Sequence, residues 1–113
     1  LQAYCKATNE NLKKNPIISN GVKFVSLNVA NDEDCLIYTY QLLNADKAGT
    51  TPESLQSAAD NLRPVMLQEI KNLANNAEYV RRCMDFNYSF KYNYYDKNGN
   101  FFISITLKPE DYQ

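Results

Sequence analysis

Residues 86–107 read FNYSFKYNYYDKNGNFFISITL, and the fold is decided by how this stretch is read. Phe86, Tyr88, Phe90, Tyr92 and Tyr94 fall on every second position, with Asn87, Ser89, Lys91 and Asn93 between them. That is the period of a strand with one buried face. Asp96-Lys97-Asn98-Gly99-Asn100 then reads as a turn, because Asn and Gly accept the positive φ that tight hairpins demand. Beyond it Phe101, Ile103, Ile105 and Leu107 alternate with Phe102, Ser104 and Thr106, so a second strand is predicted to return beside the first.

A second hairpin is predicted upstream. Asn20-Gly21 turns into a strand over 22–29 in which Val25, Leu27 and Val29 share a face. The acidic turn Asn31-Asp32-Glu33-Asp34 leads to a strand over 35–42, with Leu36, Tyr38, Tyr40 and Leu42 on one side and Cys35, Ile37, Thr39 and Gln41 on the other. Between the hairpins the period lengthens to that of a helix. Thr51 is placed to cap a helix beginning at Pro52, and Leu55, Ala58, Ala59, Leu62, Met66, Ile70 and Leu73 form its apolar stripe. Pro64 lies inside the stripe and predicts a kink or a junction of two helices, since proline removes the bond to the carbonyl of Asp60. Residues 77–84 add a shorter helix with Tyr79, Val80 and Cys83 facing inward. Residues 1–20 read as a polar arm with at most a short helix ended by Asn15-Pro16.

The expected fold is therefore α+β in the order β-β-α-α-β-β. A four-stranded antiparallel sheet of two hairpins packs in two layers on a kinked central helix, as a single domain over 21–113. At 113 residues there is room for one core. The sheet face away from the helix is expected to be wet or covered by the arm, and Phe24, Ile37 and Phe102 are candidates for a docking surface on it.

Composition narrows function by exclusion. With 12 basic and 13 acidic residues and only two basic doublets, the chain has no basic stripe with which to displace nucleic-acid counterions. It contains no His, which removes the usual general base, the commonest metal ligand and every Ser-His or Cys-His pair. No run reaches the roughly 20 apolar residues of a membrane helix. Asp96, Asn98 and Asn100 imitate the start of a calcium loop, but Gly99 stands at the fourth position instead of the sixth and Leu107 at the twelfth, where Glu is required. No cofactor or metal is implied.

Cys5, Cys35 and Cys83 form an odd set, which in an exported protein leaves one thiol unpaired. Cys5 with Cys83 would pin the arm, and Cys35 with Cys83 would tie the hairpins together. The first pairing is favoured because Cys35 lies on the face opposite Tyr38 and Tyr40; the second, and three reduced thiols, stay open. The run Asp32, Glu33, Asp34 is a candidate contact for a basic partner.

Several short segments together resemble small exported proteins and lipoproteins of Gram-negative bacteria, notably the Bacteroides group. They are Asn15-Pro16 ahead of Gly21, Tyr38-Thr39-Tyr40, Cys83, the run 92–99, and Ile103-Ser104-Ile105-Thr106 leading to Pro109-Glu110-Asp111. Family members often carry Cys directly before the proline, where this chain has Asn15, so Cys5 would have to substitute in a bridge to Cys83. Tyr4 precedes Cys5 where a lipid-attachment signal wants a small residue, so membrane attachment is expected only if the protein is lipidated. The resemblance implies an extracytoplasmic location and no catalytic residue. The leading expectation is a non-enzymatic envelope module that binds another protein. The alternatives are an inhibitor or immunity-type protein acting through a sheet edge or the acidic turn, and a hydrolase using carboxylates alone. A binder should show an apolar patch or an unpaired edge, an enzyme a deep pocket.

Overall fold

The computed structural model describes residues 1–113, with the side chain of Asn31 left aside. In chain order the elements are α1 (Gln2–Lys14), β1 (Ile17–Ser19), β2 (Val22–Ala30), β3 (Cys35–Leu42), α2 (Pro52–Ala74), α3 (Glu78–Asp85), β4 (Ser89–Tyr95), β5 (Phe101–Leu107) and α4 (Pro109–Tyr112). The strands form one five-stranded sheet in the order β1-β2-β3-β4-β5. Every neighbouring pair is antiparallel except β3 and β4, which are parallel, with Tyr38 opposite Tyr92 and Tyr40 opposite Tyr94.

This corrects the expected four-stranded antiparallel sheet in two ways. Asn20 and Gly21, both at positive φ (52° and 77°), do not merely lead into β2; they fold it back on the three-residue strand β1. The two hairpins are also joined by a parallel pair. Side-chain alternation is identical in parallel and antiparallel strands, so it carries no direction. Direction is set by the connection. The 23 residues of α2 run about 34 Å, long enough to carry the chain back to the end of the sheet where β3 began. Helix α2 is also unbroken through Pro64, in place of the expected kink or junction. Its start is as expected: Thr51 Oγ1 accepts from Ser54 N, and Ser54 Oγ accepts from Thr51 N, each at 3.1 Å.

The amino-terminal stretch is likewise not an arm. Helix α1 buries Cys5 and Leu12 and lies along β2 beyond the end of β1. There Asn9 acts as one residue of a missing strand. Its Oδ1 accepts from Leu27 N at 2.8 Å and its Nδ2 donates to Leu27 O at 2.9 Å, which closes the edge. At the far edge Arg63 of α2 donates to Thr106 O of β5 at 2.5 Å and to Asp111 of α4 at 2.6 Å.

The core lies on one face of the sheet. Leu27, Leu36, Tyr38, Phe90, Tyr92, Tyr94, Ile103, Ile105 and Leu107 meet Met66 and Ile70 of α2 and Val80 and Cys83 of α3. Four tyrosines make its middle a lattice of rings across β3 and β4, with Tyr38 and Tyr92 at 5.0 Å and Tyr40 and Tyr94 at 5.2 Å. Burial raises the pKa of all four, holding them neutral.

The turn at 96–100 is built around Asp96, whose side chain is fully buried. Oδ1 accepts from Asn98 N and Asn100 N, each at 2.9 Å, and Oδ2 accepts from Lys47 N at 2.8 Å. The carboxylate thus fills the centre of the would-be calcium loop and clips it to the 43–51 connection. The Lys47 amide, followed by those of Asn100 and Asn98, holds the Asp96 carboxyl below the usual range. A depressed folded pKa gives stability that is present above the unfolded value, near 3.9, and lost as pH falls through the folded value. Asp96→Asn is therefore expected to lower the melting temperature by several degrees at pH 7. The gap from the parent should narrow as pH falls below about 4, and a gap independent of pH would refute the assignment.

Candidate functional site

At the junction of α2 and α3 the chain turns through Asn75-Asn76, and Ala77 starts α3 with its N–H still bonded to Leu73 O. Arg81 Nη1 donates back to Ala74 O at 2.8 Å, capping the end of α2. One further turn on, Phe86 caps α3 and Asn87 adopts φ 57°, the left-handed conformation that commonly ends a helix. Tyr88 N then bonds to Cys83 O at 2.8 Å, and β4 begins only at Ser89. Phe86 is consequently not the first inward residue of a strand, as its spacing from Tyr88 and Phe90 predicts. It is 73% exposed, the most exposed large apolar side chain among the described residues.

Phe86 stands at the side of an open groove of about 870 Å³. One wall is α3, through Tyr79, Arg82 and Cys83; the other is the first turn of α1, through Leu1 and Tyr4. Tyr88 and Asp34 complete it from the strand ends. The walls touch where the rings of Tyr4 and Tyr79 stack, with centroids 4.3 Å apart and planes 23° from parallel. Tyr79 is fixed from the other side, its hydroxyl 2.9 Å from that of Tyr38 in β3. The charged side chains that line it are Asp34, Glu78 and Arg82; the last two pair at 3.3 Å in solvent, a bond of small energetic weight. The groove therefore offers aromatic area with hydroxyl tips, which suits an apolar segment edged by hydrogen-bonding groups.

The residues expected from sequence to form an interaction surface are dispersed. Phe24 packs on the core side beside Tyr40, with ring centroids 5.3 Å apart. Phe102 is the extra residue where Tyr95 pairs with Phe101 instead of Phe102, and it too packs on the core. Ile37 is half-buried on the opposite face. Asp32 and Glu33 are exposed on the turn, and only Asp34 reaches the groove. The sequence placed Tyr79 and Phe86 among inward-facing residues and did not mark Tyr4, Tyr79 or Phe86 as part of an interaction surface. Asn directly after a helical run was the one signal available for Phe86.

The three cysteines are buried thiols. Cys5 and Cys83 belong to the core cluster between α1, α3 and the sheet, while Cys35 lies outside that cluster with the parity of Ile37. Its Sγ faces Leu36 O at 3.8 Å. Cys35 is thus on the other side of the sheet from Cys83.

No family model matches the chain, and no curated protein matches it in sequence. Two solved structures share its fold. The pilotin EpsS of the Vibrio vulnificus type 2 secretion system is similar over 99% of this chain and 91% of its own, with 13% identity and a TM-score of 0.56. A Pseudomonas aeruginosa protein provisionally described as secreted is similar over 99% of this chain and 92% of its own, with 9% identity and a TM-score of 0.55. At such identities the likeness is one of fold. Neither neighbour comes from the Bacteroides group.

Proposed function

We propose that the protein is an extracytoplasmic, non-enzymatic module that holds a segment of another envelope protein in the groove between α1 and α3. The observation that carries this reading is Phe86, 73% exposed beside a groove formed with Tyr4, Tyr79 and Tyr88. A single exposed apolar side chain is ordinary. Four aromatic residues around one open groove are the composition of an interface centre. The full-length fold match to a secretion-system pilotin and to a protein described as secreted supports the compartment and the kind of partner. The inhibitor reading relied on a sheet edge or the acidic turn; Asn9 bonds β2 at Leu27, Arg63 bonds the β5 edge at Thr106 O, and the acidic turn carries no apolar side chain, which favours the groove instead.

The test is a photo-crosslinking amino acid placed at Phe86, with Thr39 on the far sheet face as control, in cells that make the protein natively. A crosslink to one envelope protein from position 86 and none from position 39 is expected. Phe86→Asp should then weaken binding to that purified partner by at least tenfold while the melting temperature stays unchanged. Crosslinking from position 39 alone, or full affinity in Phe86→Asp, would reject the groove as the site.

A further inference from the structure

We infer that Cys5 and Cys83 are joined by a disulfide that ties α1 to α3 and so fixes the two walls of the groove relative to each other. The bridge is independent of the binding reading; only its use at the groove rests on it. Cys83 is one helical turn beyond Tyr79 on the same face of α3, and Cys5 follows Tyr4 in α1, so the two cysteines belong to the two helices that the ring stack joins. Both are buried in one cluster, 5% and 2% exposed, and Cys35 is on the opposite side of the sheet. That shared cluster, from which Cys35 is absent, supports one of the pairings open to an odd set of three.

The electrostatics agree. Burial, and after it the neighbouring Cys5, push the Cys83 thiol up to about 11. Burial raises Cys5 too. Thiolates are therefore scarce once the helices have docked, and oxidation belongs to the folding stage. The chemistry is exchange with a disulfide-bearing oxidant. One cysteine thiolate attacks the oxidant's S–S bond and expels one of its sulfurs as a thiolate. The other cysteine attacks the mixed disulfide, forming the Cys5–Cys83 bond and releasing the second sulfur. Two protons leave the cysteines, and their two electrons reduce the oxidant to two thiols.

The protein is to be refolded in a glutathione redox buffer, alkylated without reduction and mapped by mass spectrometry. The peptides holding Cys5 and Cys83 should appear linked, two hydrogens lighter than their sum, with Cys35 alkylated. Three alkylated thiols, or Cys35 in the linked pair, would overturn the assignment. Hydrogen exchange then reads the walls. Amides of α1 in the oxidised protein should exchange at least tenfold more slowly than in the dithiothreitol-treated protein, with β3 and β4 unchanged. Equal α1 exchange would overturn the fixing of the walls. Neither measurement involves a partner, so failure at the groove in the crosslinking test leaves the bridge standing, and an absent bridge leaves that test intact.

Discussion

Replacing Phe90 with Ala is expected to cost about 3–5 kcal/mol, much of the 5–15 kcal/mol that stabilises a typical domain. Phe90 is 0% exposed and stands opposite Leu36 of β3 and Leu107 of β5, both also 0% exposed, so it fills the middle of three adjacent strands. Its ring meets Tyr112 edge-on at 5.7 Å, and the Tyr112 hydroxyl donates to Tyr88 O at 2.7 Å, so truncation also loosens α4. Urea unfolding followed by circular dichroism should give either a midpoint shifted accordingly or no folded protein. Phe86→Ala, four residues earlier, should fall within about 0.5 kcal/mol of the parent, because that ring is 73% exposed. A loss below about 1 kcal/mol at Phe90 would contradict its central place between β3 and β5.

The contrast between Phe86 and Phe90 marks how far the sequence is legible. Alternation over 86–94 correctly identifies the inward set Phe90, Tyr92 and Tyr94, since burial on one face imposes a period of two whatever the neighbouring strand. Alternation alone does not say where the strand begins. Residue 86 matches the pattern by coincidence, and the left-handed turn at Asn87 takes it out of the sheet. The same limit hid the parallel pairing of β3 with β4, because strand direction is a property of the crossover and not of either strand. Helix α2 was legible at its cap and in much of its stripe; Met66 and Ile70 are buried as expected, although Leu73 stays 38% exposed. Helix α1 was not. Its apolar content is low, and its docking depends on Asn9 bonding to a backbone edge that exists only once β2 has formed. The groove inherits both gaps, one wall being α1 and Phe86 standing at its side.

Reduction of the oxidised protein should lower its melting temperature by about 15–20 °C, the effect of some 4–5 kcal/mol on a chain of this size. In the chain-entropy model a bridge from Cys5 to Cys83 closes a loop of about 80 residues, and so large a loop restricts the unfolded chain by that amount. The other attachments of α1 are weaker. The two bonds of Asn9 to Leu27 contribute about 1 kcal/mol each, and the Tyr4–Tyr79 stack about 0.5–1.5 kcal/mol. Asn9→Ala should consequently cost only about 2 kcal/mol and should leave α1 docked in the oxidised protein. The same substitution in the reduced protein should release it. Scanning calorimetry of the parent and Asn9→Ala, each with and without dithiothreitol, separates the contributions. A reduction effect under about 5 °C would mean that reduced and bridged chains unfold from nearly the same ensemble. The entropic account of the bridge would then fail, even with the linked peptide present.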